Sequence, residues 1–288
     1  MKNLVFKRLI TSIILSAILI ISLPVALAAA NKYSWLTDYK DAESIAKRIK
    51  VPAGYERVAV KPGSFEEWLR FLPLKKGNPP VRLYNGQLKQ NRDAAYAVVD
   101  MDTGVRDLQQ CADTVIRFRA EYLYSVGDFS GIHFKFTSGH NAEYKKWIEG
   151  YRPSISGSRV SWVKSAKKNS SYENFRNGYL NTVFNYAGTA SLEKELKSAG
   201  DAKQMRIGDV FMHAGYPGHA ALVVDMAENK TTGKKIFLLA QSYMPAQEAH
   251  ILNNPGNPAL GPWYVLDFGT QLETPEWLFF QNELKSFK

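Results

Sequence analysis

The chain has 288 residues, a formal net charge of +10 and 45% hydrophobic residues, enough for one large domain or a domain with a decorated N-terminal lobe. Most of its lysines and arginines are scattered, so the positive balance points to an anionic surrounding such as cell-wall polymers, lipid head groups or acidic glycans, not to nucleic acid. A single cysteine excludes an intrachain disulfide framework, and the lack of a phosphate-binding glycine loop argues against nucleotide chemistry.

Residues 1–30 read as a signal peptide. Lys2, Lys7 and Arg8 form a positive start, and Leu9 to Leu23 is apolar apart from Thr11, Ser12, Ser16 and Ser22. Pro24 and the run Ala26 to Ala30 then offer a small-residue cleavage site after Ala28 or Ala30. The expectation is a secreted or periplasmic protein of the cell envelope, with an uncleaved membrane anchor as the alternative. No cysteine follows the apolar run, which speaks against a lipid-modified start.

Residues 31–94 form an N-terminal extension or lobe. Asp41 to Lys50 predicts a short amphipathic helix ended by Pro52, and Ser64 with Glu67 has capping-box spacing for a second helix from Phe65. Val81 to Tyr84 alternates as a half-buried strand does and runs into the turn signal Asn85-Gly86.

The main domain covers residues 95–288. Tyr96 to Val99 predicts a strand, and Asp107 to Asp113 opens a helix over Thr114 to Tyr124. Ile132 to Phe136 alternates strictly, Gly150 to Ser171 reads as a long surface loop or flap, and Tyr172 to Ala187 and Ala190 to Ala199 predict helices. A strand then starts near Ile207, followed by Ala220 to Asp225 and Ile236 to Ala240, with a turn over Asn229 to Lys234. Short connections make these three an antiparallel meander, and helices followed by such a sheet define an α+β class.

Cys111 is the first candidate for chemistry. An unpaired cysteine in an exported protein is either an inert core thiol or a reactive one. At a helix start, unpaired N–H groups and the macrodipole lower a thiol pKa; Arg106 would act the same way and the flanking Asp107 and Asp113 against it. The second candidate is His219, which begins an apolar strand after the turn Pro217-Gly218. A rigid backbone and an available ring suit a general base, although a lone histidine often just satisfies a turn carbonyl. Together they predict an imidazole that takes the thiol proton and a resting thiolate–imidazolium pair. A zinc site from His213, His219 and Asp209 is the weaker alternative, because their spacing matches no ligand pattern; neither a metal nor another cofactor is expected. His250 is placed to face the same cleft.

A cysteine at a helix start, then Gly208-Asp209 before a strand, then Gly218-His219 opening the next one, resembles the papain-like cell-wall amidases and endopeptidases of bacteria. The resemblance covers roughly residues 95–250. It implies a papain-like α+β fold with Cys111 as nucleophile, His219 as base and a third polar residue on the next strand, where Gln241 stands. An amide there orients the imidazole but cannot stabilise its cation as a carboxylate does, and Gln241 also reads simply as a strand end. The stretch between Cys111 and His219 exceeds what such a domain needs, which implies an insertion around 139–171. The backbone N–H of Cys111, helped by the side chain of Gln109 or Gln110, would form the oxyanion hole. Tyr243 would line a substrate groove, and Trp263 and Tyr264 either join it or belong to the core. The implied function is thiol-dependent amide hydrolysis of peptidoglycan peptides. A thiol acyltransferase on lipid or protein and a non-catalytic envelope-binding protein are the alternatives. The runs "DLQQCAD", "PGHAALVVD" and "LLAQSYMPAQ" also resemble a family of bacterial secreted proteins, a domain of unknown function, which adds no activity.

Overall fold

The computed structural model describes residues 32–288, so the expected signal segment lies outside the described residues. Six short α-helices are α1 (Ile45–Arg48), α2 (Phe65–Arg70), α3 (Cys111–Ser125), α4 (Tyr144–Ile148), α5 (Asn181–Tyr186) and α6 (Thr189–Glu195). The first strands are β1 (Glu56–Arg57), β2 (Ala95–Val98), β3 (His133–Lys135), β4 (Asn141–Glu143), β5 (Tyr151–Ser156), β6 (Arg159–Lys164) and β7 (Lys197–Ser198). There follow β8 (Val210–His213), β9 (His219–Glu228), β10 (Lys235–Gln241), β11 (His250–Leu252), β12 (Tyr264–Val265), β13 (Gln271–Glu273), β14 (Leu278–Phe280) and β15 (Leu284–Ser286).

The main sheet runs β2-β11-β10-β9-β8-β15-β7, with β1 also beside β9 and β12 beside β10. Every pairing in it is antiparallel, so the fold is mixed α+β around one antiparallel sheet. The meander β8-β9-β10 is its centre. His219 to Ala227 is buried at every position because α2 and α3 pack against β9. Full burial of side chains such as Leu222, Val223 and Val224 stabilises by roughly 1.5–3 kcal/mol each. The exception in that apolar run is Asp225, fully buried beside a bulge between Leu238 and Leu239 of the facing strand. Its carboxylate oxygens accept from Arg57 Nε at 2.6 Å and Arg70 Nε at 2.7 Å. Two arginines of the N-terminal segment are thereby held on the central strand. Single bridges, Ser44 to Pro73 and Leu74 to Val99, continue the same attachment.

Several elements depart from expectation for local reasons. The Asp41 to Lys50 helix is a 3-10 turn (Asp41–Glu43) followed by four residues of α1. Ser64 does cap α2 through the Glu67 N–H, but the Glu67 carboxylate accepts from Gly63 N instead of closing the box on Ser64. Val81 to Leu88 is a tight turn with single bridges, Arg82 to Leu88 and Leu83 to Gln247, and no extended strand. The flap over 150–171 contains a regular hairpin, β5-β6, whose alternation of Pro153, Ile155, Val160 and Trp162 was hidden by a Ser- and Lys-rich composition. The Tyr172 to Ala187 helix runs as a π segment over Asn174–Leu180 before α5. The helix expected over Ala190 to Ala199 stops at Glu195, because Lys197 and Ser198 pair with β15 as the sheet edge.

Candidate functional site

The start of α3 is fixed by its own chain. Gln110 is extended at φ −87°, and its backbone N–H donates to the Asp113 carboxylate at 3.2 Å, one arm of a capping box. Cys111 is therefore the first helical residue, where N–H groups have no intrahelical acceptor. Its thiol is 5% exposed and lines a surface cleft of about 290 Å³, with Asp107, Leu108, Gln110, Phe184 and Met244 among the walls. The backbone N–H groups of Ala112, Ala220 and Cys111 act on its thiol, favouring the thiolate. Ala220 is the residue after His219, so the meander delivers the histidine's strand directly to the thiol.

Glycines make this approach possible. A Cβ on Gly218 would lie 2.5 Å from Thr189 Oγ1 and 2.6 Å from the Gly215 carbonyl, so only glycine fits immediately before His219. Gly208 takes φ +94° under the Phe65 ring, and its partner Asp209 is structural. The Asp209 carboxylate accepts from Arg206 N at 2.8 Å and Ser286 Oγ at 2.6 Å.

The His219 ring is buried among aromatic rings, with Tyr243, Trp277 and Phe279 centroids at 4.9, 5.1 and 5.6 Å. Its Nε2 lies 2.7 Å from Gln241 Oε1. The orientation of that amide is dictated from its other end. Gln241 Nε2 donates to Glu276 Oε2 at 2.8 Å and faces His250 Nε2 at 3.5 Å. The His250 Nδ1–H donates in turn to the Glu248 carbonyl at 2.9 Å, which leaves its Nε2 an acceptor. With both amide hydrogens committed, the Gln241 oxygen must face His219, whose Nε2 then carries the proton and whose Nδ1 is the basic nitrogen. Lys89 closes the chain at 2.6 Å from Glu276 Oε1 and 5.1 Å from the Tyr243 ring centroid.

Burial governs the titration of the pair. It pushes the Cys111 thiol up to about 11, with the Asp113 carboxyl adding to the rise and the three backbone N–H groups opposing it. It pushes His219 down to about 4, against the hydrogen bond that its Nε2–H donates to Gln241 and with the nearby Lys89 charge reinforcing the fall. At neutral pH both groups are uncharged. The resting ion pair expected from the helix start is thus corrected: desolvation outweighs the helix terminus here. Burial also pushes the Asp113 carboxyl well above the usual carboxylate range.

The other sequence candidates separate cleanly. Gln110 lines the cleft, but its amide donates to Asp107 Oδ1 at 3.0 Å. Gln109 is turned away from the cleft: its Oε1 accepts from Arg117 at 2.6 Å, and the buried Arg117 also pairs with buried Glu121 and half-exposed Asp102. Tyr243 packs on His219, and burial, Glu276 and Cys111 all raise its phenol. Trp263 and Tyr264 are core residues at 0% and 2% exposure, not groove walls. Arg106 reaches Asn185. His213 pairs with Glu283 at 2.5 Å while Asp209 is committed to the turn, and no group of three or more metal-ligating side chains occurs among the described residues. Glu276 and Lys89 were not legible in the sequence: they lie 35 residues after and 152 residues before Gln241, and only the tertiary fold joins them.

No helix among the described residues is long and apolar enough to cross a membrane. No curated protein and no solved structure matches the chain. A family model described as a domain of unknown function (4846) matches residues 45–286, which spans both the N-terminal segment and the site, and the chain belongs to that family.

Proposed function

We propose that the protein is a thiol-dependent amide hydrolase of the bacterial cell envelope with a papain-like arrangement, acting on peptidoglycan peptides. The observation that carries this reading is the tautomer lock. Gln241 Oε1 holds the proton on His219 Nε2 at 2.7 Å, while the next residue, Ala220, turns its N–H to the sulfur of Cys111. As the sulfur attacks an amide carbonyl, its proton passes to His219 Nδ1, and the oxyanion forms beside the free N–H groups at the start of α3. The imidazolium returns that proton to the departing amine, which leaves a thioester. His219 then takes a proton from water as it attacks the thioester, and the sulfur recovers the proton when the acid departs. Because both groups rest uncharged, proton transfer accompanies attack rather than preceding it. Leu108 and Phe184 beside Asp107 and Gln110 make a mixed wall, which suits a peptide better than a lipid acyl chain.

The test is digestion of purified peptidoglycan with mass-spectrometric detection of released fragments and of an acyl adduct on Cys111. Cys111→Ala abolishes both, and His219→Ala lowers release by roughly 10²–10⁴-fold. Equal release by wild type and both variants, or iodoacetamide modification of Cys111 only after unfolding, would overturn the reading.

A further inference from the structure

The net charge of the described chain is concentrated in one small unit. Residues 144–168, which form α4, the β5-β6 hairpin and its return, carry seven lysines and arginines against the single acid Glu149. That is +6 of the +7 carried by residues 32–288 as a whole. The hairpin pairs with no other strand. In its register Arg152 opposes Val163, Ser154 opposes Ser161 and Ser156 opposes Arg159, so these side chains share one face. Ser154, Ser156, Ser161, Val163 and Arg159 are all exposed, whereas Ile155, Val160 and Trp162 on the opposite face pack toward the body. Lys164 and Lys167 stand exposed at the base without a carboxylate within salt-bridge distance, while Lys168 pairs with Glu149 at 2.7 Å. Gly150 ties this base together, because its carbonyl accepts from the N–H groups of both Ser165 and Ala166.

We propose that the outward face of the β5-β6 hairpin, together with the exposed lysines at its base, is a docking surface for a linear, phosphate-bearing polyanion. The Arg159 guanidinium and the Ser154, Ser156 and Ser161 hydroxyls stand along it, donors that phosphate oxygens accept, while the Arg152 guanidinium is turned onto the Trp147 ring and its carbonyl. The tip Ser156-Gly157-Ser158-Arg159 has no apolar side chain to insert, which favours a hydrated polymer over a bilayer. This inference rests on charge and register and stands whether or not Cys111 is a nucleophile.

The test is binding of the full chain to inorganic polyphosphate of fixed length across a salt series. Neutralising Arg159, Lys164 and Lys167 to Gln should weaken binding at least tenfold at low salt and flatten its salt dependence, since each lost contact releases fewer counterions. The same number of changes at Lys197, Lys203 and Lys234, exposed elsewhere, should leave affinity within about twofold, as expected of screened charges distant from the contact. Equal losses in the two triple variants would overturn the proposal and reduce the effect to net charge. So would tighter binding to anionic vesicles than to polyphosphate that disappears in the hairpin variant, which would assign the face to a membrane. Unchanged binding in the hairpin variant would leave its charges as guards of two open strand edges, and would also overturn it.

Discussion

Strand β9 carries two buried polar side chains, one at its start and one toward its far end, and the two are built on opposite principles. Asp225 is an acid clamped by two guanidinium groups, Arg57 and Arg70. His219 is a neutral ring clamped by a neutral amide, with the charges of Glu276 and Lys89 one and two residues further out. The ionic end joins distant segments of chain, where only attachment is required. The neutral end leaves one ring nitrogen basic and uncommitted, which an ion pair to the ring would not do without charging it. The same contrast separates the two sides of α3. Its buried flank holds Arg117 between Asp102 and Glu121, and its N-terminus presents an uncharged thiol to the cleft.

The sharpest way to break this comparison is at Asp225. Asp225→Ala leaves two arginine side chains, 21% and 8% exposed, without their counter-charge, and a cost of about 3–5 kcal/mol is expected for a broken buried pair. Denaturant unfolding measures it. Activity per folded molecule should be unchanged, and a selective loss of activity with normal stability would mean that Asp225 serves the site rather than the scaffold. At the other end the signs reverse. Gln241→Ala frees the His219 ring to choose either tautomer, and hydrolysis should fall roughly 10–100-fold, with a stability cost of only ~1–2 kcal/mol for the lost hydrogen bonds. Glu276→Gln is milder, since Gln241 still finds an acceptor on the new amide and His250 still takes its second hydrogen. A fall of about tenfold or less in kcat at constant KM is expected, on the scale of a positioning contact. A larger effect at Glu276 than at Gln241 would make the carboxylate, not the amide, the group that sets the ring.

What could be read from residues alone follows the same division. The meander, the helix behind Cys111 and the Ser64 cap were visible because each rests on local periodicity or a short turn. Cys111, His219 and Gln241 were visible as types at element boundaries; the fold joins His219 to Gln241 at 2.7 Å and brings the N–H of the next residue, Ala220, to bear on the Cys111 thiol. The thiol's charge state was not visible, because a helix start is a local feature whereas the burial that opposes it comes from β9 and Tyr243. Gln109 and Gln110 look equivalent in sequence; the non-helical backbone ahead of α3 sends the first to Arg117 and the second to the cleft. Glu276 sits in the plain turn Thr274-Pro275-Glu276-Trp277, and nothing near it announces a partner on β10. The β5-β6 hairpin was missed for a different reason. Its alternation is intact, but serine and glycine on its outer face resemble loop composition.

The last prediction concerns pH. His219 and His250 have folded-state pKa values lowered to about 4 and about 3, in both cases first by burial. A histidine whose pKa is lower folded than unfolded binds its proton more readily in the unfolded chain, so the stability it contributes is present above about 6.5 and drains away as pH falls toward the folded value. Unfolding free energy should therefore decline below pH 6.5 and continue to decline to about pH 4. His250→Asn retains a side chain that can hydrogen-bond without titrating, and it should flatten that decline while leaving the Gln241 amide in place. A decline of equal slope in His250→Asn would assign the acid sensitivity to His219 alone. No decline at all between pH 6.5 and 4 would mean that neither ring has a lowered pKa in the folded protein, and the neutral clamp at that end of β9 would have to be redrawn as a charged one.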